Sequence, residues 1–111
     1  MRKLMFVAAV AAFSTVAASG ADAKAGQAAY DRECSDCHAM NGAPVASVLK
    51  AMKKQSVTMR DLAAREVQTQ TDADWKKLIL EGTGKMKPIK MSAPDIENVS
   101  AFMRTLKKKG Q

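Results

Sequence analysis

Aromatic side chains are scarce in this chain. Its 111 residues include one Trp, one Tyr and three Phe, and Phe6 and Phe13 fall in an N-terminal stretch set apart below. That leaves Tyr30, Trp75 and Phe102 as the aromatic content of any folded domain. A chain this short buries little apolar surface unaided, and small domains usually make up the shortfall with a disulfide, a metal or a bound cofactor. A core this thin is expected where a large apolar group fills its centre. Histidine occurs once, at His38, and cysteine twice, at Cys34 and Cys37. No fourth Cys or His exists to complete a tetrahedral zinc site. No stretch alternates apolar and polar residues as a half-buried strand does, and Asn41-Gly42 is not flanked by such runs. There is no internal repeat, and no low-complexity stretch beyond Lys107-Lys108-Lys109. Acidic residues are outnumbered 11 to 18, leaving a net charge of +7.

The longest apolar run, Leu4 to Ala18, is broken by Ser14 and Thr15. It falls short of the roughly 20 residues a membrane-spanning helix needs. Arg2 and Lys3 precede it, and Ala21-Asp22-Ala23 follows as a small-x-small cleavage site. This order is that of a secretory signal peptide. Residues 1–23 are therefore expected to be removed and residues 24–111 to form one domain. No cysteine near the cut offers a lipid anchor.

The remaining pattern is helical. A first helix is expected over Ala25–Cys34, carrying the small residues Gly26, Ala28 and Ala29, and a loop over Ala39–Pro44. Val45–Lys54 places Val45, Val48, Leu49 and Met52 at helical spacing, and another helix is expected near Met59–Val67. Thr71 reads as an N-cap with Asp74 at the third position, before a helix carrying Trp75, Leu78 and Ile79 and ending at Gly82. Ser92 caps a last helix, with Pro94 in its first turn and Asp95 at the third position. Ile96, Val99, Phe102, Met103 and Leu106 form its apolar stripe.

One motif carries the chemistry. Cys34-Ser35-Asp36-Cys37-His38 is C-x-x-C-H, the spacing of covalent haem attachment. Each thiol adds across one haem vinyl group to give a thioether. Two intervening residues on a helical turn match the separation of neighbouring vinyls, and the adjacent imidazole is placed over the iron. A thioredoxin-like redox pair would require a βαβ context, which is absent. Zinc would find three donors on nearly consecutive residues and no fourth. The expected cofactor is one haem c with its iron, held by Cys34 and Cys37 and ligated by His38.

On these residues the chain resembles the small bacterial class I c-type cytochromes, from Gly26 to about Leu106. Gly26 and Tyr30 stand before the motif as the family's small and aromatic positions do. The Trp75 helix ends at Gly82 and runs into Gly84-Lys85-Met86, and a final amphipathic helix carries Phe102. The resemblance implies an all-α cytochrome c-like fold, three to five helices around one haem, with Phe102 packing on the first helix. It also implies a proline carbonyl that orients the histidine ring, for which Pro44 is the candidate. Departures are Ala39 where the family commonly has Gly, Lys87 between Met86 and Pro88, and Val45–Met59, which finds no clear match.

With a single histidine, the second axial ligand must be a methionine if the protein supplies it. Met40 is too close to His38 to reach the opposite haem face. Met52, Met59 and Met103 lie at helical spacing with other apolar residues and read as core. Met86 and Met91 remain. Met86 lies in an irregular loop that can aim a side chain inward. Met91 precedes the Ser92 cap, with Ile96 placed to complete a hydrophobic staple. The resemblance implies Met86, since the family places its ligand in that loop. Met ligation raises the reduction potential, and it closes the iron to substrates.

The expected function is a monomeric periplasmic carrier of single electrons, not an enzyme. An open-site gas-binding or sensor haem protein, or a haem subunit of a larger redox complex, is the alternative. The resemblance implies an exposed haem edge near the methionine loop. Lys85, Lys87 and Lys90 there would steer a redox partner with an acidic docking face. Lys50, Lys53 and Lys54 read as ordinary solvated lysines. Nucleic acid is not an expected partner.

Overall fold

The computed structural model describes residues 21–107. The leader expected over residues 1–23 lies outside them up to residue 20, as do Lys108 and Lys109 of the basic tail. The described chain folds as five helices in the order α1 (Ala23–Glu33), α2 (Ala46–Lys54), α3 (Arg65–Gln68), α4 (Asp72–Glu81) and α5 (Ala93–Met103). Among the described residues the only β pairing is two isolated bridges, His38 with Pro44 and Thr83 with Met86. The all-α reading holds.

The core is the crossing of α1 with α5, to which α4 adds a second layer. Gly26 makes that crossing possible. A Cβ there would lie 1.8 Å from the carbonyl oxygen of Asn98, so only glycine lets the two backbones approach this closely. One turn later Tyr30, fully buried, meets Phe102 with ring centroids 5.0 Å apart and planes tilted by 57°. Val99 and Ile96 of α5 and Trp75 and Ile79 of α4 join the same cluster. Each fully buried side chain of this size contributes about 1.5–3 kcal/mol of hydrophobic stabilisation. The stripe on the last helix packs as its spacing predicts, Met103 included.

The caps follow the local chemistry. Thr71 and Asp74 form a reciprocal capping box at α4, and the two Thr71 hydrogen bonds hold the Asp74 carboxyl below its ordinary pKa. Ser92 Oγ accepts from the Asp95 amide at 3.2 Å, with Pro94 in the first turn of α5. Two helices depart from expectation. α1 begins at Ala23 rather than Ala25, because Asp22 caps it. The helix expected near Met59–Val67 is confined to the short α3. The Asp61 carboxylate accepts from the Ala63 amide at 2.9 Å, and the Leu62 amide is drawn to the Gly42 carbonyl at 2.9 Å. Both compete with helical pairing before Arg65.

Met52 and Met59, read as core, are only half-buried and lie outside the core cluster. For Met52 the physical reason is that α2 buries none of its residues and packs on no other helix to any extent; Met59 lies in the irregular stretch before α3 and not at helical spacing.

Candidate haem site

The motif occupies the turn that follows α1. The Cys34 amide still donates to the Tyr30 carbonyl at 2.7 Å. The Cys37 and His38 amides both turn back to the Cys34 carbonyl, at 3.3 and 3.0 Å, and the Ser35 hydroxyl donates to Asp31. Cys34, Cys37 and His38 thus share one turn, the arrangement their spacing predicts. Both thiols are free. Cys34 is half-buried, and burial, helped by the Glu33 carboxylate, pushes its thiol up to about 11.

His38 is half-buried, and burial lowers the pKa of its imidazole. This favours the neutral ring, the form that ligates metals. Its Nδ1 is buried with no hydrogen-bond partner. The chain after it folds tightly back. Ala39 donates to Ala43 at 2.8 Å, and Val45 donates to Cys37 at 3.0 Å. This brings Pro44 opposite His38 as an isolated bridge, although the Pro44 carbonyl does not accept from Nδ1. Tyr30 Oη donates to the Ala39 carbonyl at 2.8 Å, tying this return to the core.

Met86 is positioned by a two-residue turn. Thr83 and Met86 exchange backbone hydrogen bonds at 2.9 and 2.8 Å around Gly84 and Lys85. Gly84 has φ +55° while Lys85 keeps a negative φ, which is the type II′ pattern. Gly82 packs beneath this turn, where a Cβ would lie 2.5 Å from the Met86 carbonyl oxygen. The Ile89 amide donates to the Ile79 carbonyl at 2.8 Å, pinning the loop to α4. The sequence did not announce this hairpin. Its signal was Gly at the first central position, without the alternating flanks that usually mark one.

The two candidate methionines differ in their surroundings. Met91 is half-buried and packs against the core cluster that contains Ile96, as a hydrophobic staple would. Met86 is half-buried at its turn and is not among the residues packed on that cluster. Lys85, Lys87 and Lys90 are all exposed around it.

A model of the cytochrome c family matches residues 23–107. The chain belongs to the cytochrome c family. Neither the search of curated proteins nor that of solved structures returns a match. As a cytochrome c, the protein binds haem c covalently, with its iron, and serves in electron transfer. The family is generally one of electron carriers rather than enzymes. Among the described residues no helix is long and apolar enough to cross a membrane.

The residues present fit the cofactor. Two free thiols and an imidazole share one turn, and a ring nitrogen of that imidazole is buried without a partner, which costs about 1–3 kcal/mol if left so. Val48, Leu49, Met52, Val57 and Met59 add half-buried apolar surface that the cytochrome's own core does not cover. That surface suits a large apolar ligand.

Proposed function

We propose that this cytochrome c is an exported, periplasmic carrier of single electrons, in which Cys34 and Cys37 would hold the haem and His38 and Met86 would ligate its iron. The haem iron supplies the one-electron couple when bound. The protein's residues do the rest. Cys34 and Cys37 fix the group to the turn after α1. The neutral imidazole of His38 would ligate the iron. Met86, on the turn closed by Thr83, would supply a thioether sulfur to the iron, and a weak thioether donor favours the reduced metal. With two ligands to the iron supplied by the chain, the site would exchange electrons and bind no substrate.

One observation carries the choice of Met86. Met91 is used by the core, whereas Met86 is held half-buried outside it by a locked turn. The leader-like segment at residues 1–23 and the net charge of +7 support export and a basic carrier. The exposed Lys85, Lys87 and Lys90 support docking of an acidic partner beside the methionine loop.

The test is the absorption spectrum of the haem-loaded protein, oxidised and reduced. Ferric haem bonded to methionine sulfur has a weak far-red charge-transfer band. The band is expected in the wild type, lost in Met86→Ala and kept in Met91→Ala. Its absence from the wild type, together with ready binding of carbon monoxide to the reduced form, would instead establish an open iron and a gas-binding role.

A further inference from the structure

The residues just before α1 have a structural role that a discarded leader would not need. Asp22 is the N-cap of α1, in extended backbone with φ −122° and ψ 111°. Its carboxylate accepts from the amides of Lys24 at 2.9 Å and Ala25 at 3.3 Å. Its carbonyl accepts from the Gly26 amide at 2.9 Å. Its own amide donates to Asn98 Oδ1 of α5 at 2.9 Å. One residue therefore satisfies three amides of the first turn and links α1 to α5 beside the Gly26 crossing.

Cleavage after Ala23 would remove all four hydrogen bonds. It would place the Lys24 α-ammonium and its side-chain ammonium at the positive end of the α1 dipole, where cations are disfavoured. It would also free the Gly26 amide at the point of closest helix approach. A second small-x-small site lies two residues upstream, Ser19-Gly20-Ala21, and meets the same requirement for small residues before the cut. Cleavage there makes Asp22 the first residue. Its nitrogen then faces Asn98 Oδ1 as a charged donor, which forms the stronger hydrogen bond. Its carboxylate offsets that charge at the helix end.

We infer that signal peptidase cuts between Ala21 and Asp22, so that the mature cytochrome starts with the cap of its own first helix. This rests on the reading of the protein as exported.

The experiment expresses the full chain with haem attachment, recovers it from the periplasmic fraction, and determines its N-terminus by sequencing and intact mass. A start at Asp22 is expected. A cleaved chain starting at any other residue, Lys24 included, overturns the inference and leaves export standing. A chain still beginning at Met1 overturns the export reading itself. Asp22→Gln, which removes the short cap without creating a small residue, provides a second readout on the purified haem-loaded protein. Its Tm is expected to fall by about 4–8 °C, the size of a lost helix cap in a domain this small, with the absorption spectrum unchanged. A Tm equal to that of the wild type would mean that Asp22 has no such role.

Discussion

Gly82 and Gly84 stand two residues apart before Met86, and both have positive φ, yet alanine should read differently at each. At Gly82, with φ 74° and ψ 173°, the backbone is in a region open essentially to glycine alone, and strain there costs about 1–3 kcal/mol. The added Cβ would also lie 2.5 Å from the Met86 carbonyl oxygen and 2.8 Å from the Pro88 nitrogen. Both obstacles are backbone, so the loop itself must move. At Gly84 nothing lies within 4 Å of a Cβ, and the strain of its positive φ alone costs about 1–3 kcal/mol. Gly82→Ala is therefore expected to weaken the far-red methionine band as well as lower Tm, and Gly84→Ala to lower Tm while keeping the band. Equal loss of the band in both would show that the turn does not place Met86. At this scale the sequence was legible where chemistry is local. Cys34, Cys37 and His38 fall on one turn because five consecutive residues dictate it. Gly82 was legible as the end of α4, but the close contacts that exclude a Cβ there were not, since they come from the folding back of Met86 and Pro88.

The helix ends show the same division at the scale of elements. The caps of α4 and α5 could be read because Thr71 with Asp74 and Ser92 with Asp95 bond within three residues. The start of α1 could not, because Ala21-Asp22-Ala23 satisfies a protease pattern as well as a cap. Arg104 carried no signal at all, since its partners lie 29 to 36 positions upstream. Just past α5, it stacks over Trp75 at 3.7 Å from the ring centroid. It donates to the carbonyls of Gln68 at 2.8 Å and Gln70 at 2.7 Å, and to Asp72 at 2.8 Å. One planar guanidinium thus ties the end of α5 to the α3–α4 connection. Lysine offers neither the fork nor the stacking plane. Arg104→Lys is expected to cost about 1.5–3 kcal/mol in urea unfolding of the haem-loaded protein. Asp72→Asn should cost less than about 1 kcal/mol, because that carboxylate is 69% exposed and its ion pair is screened. If Asp72→Asn cost as much, the connection would be held by the ion pair and not by the carbonyl contacts.

Across the whole molecule, the packed core lies at the α1–α5 crossing, with α4 beside it; Cys34 packs against that core, while Cys37 and Met86 lie outside it. This division explains why a chain with three aromatic residues in its folded part was readable as a haem protein. The protein core is small, while α2 and the loop before α3 present half-buried apolar side chains that no helix covers. It also sets where charge can act. Lys85, Lys87 and Lys90 are exposed on the loop that carries Met86, so reversing them should alter encounter with oxidants more than the fold. The triple change Lys85→Glu, Lys87→Glu, Lys90→Glu replaces three positive charges by three negative ones at one spot. For reduced protein mixed with an anionic iron complex, steering by such a patch is worth roughly tenfold or more in rate at low ionic strength. The variant should react more slowly by about that factor, and faster than the wild type with a cationic cobalt complex. Both differences should shrink as added salt shortens the Debye length to about 3 Å at 1 M. Opposite responses to the two reagents separate a local field from a general loss of activity, which would slow both. Identical low-salt rates for wild type and variant with both reagents would place electron exit elsewhere on the surface and remove these lysines from the docking face.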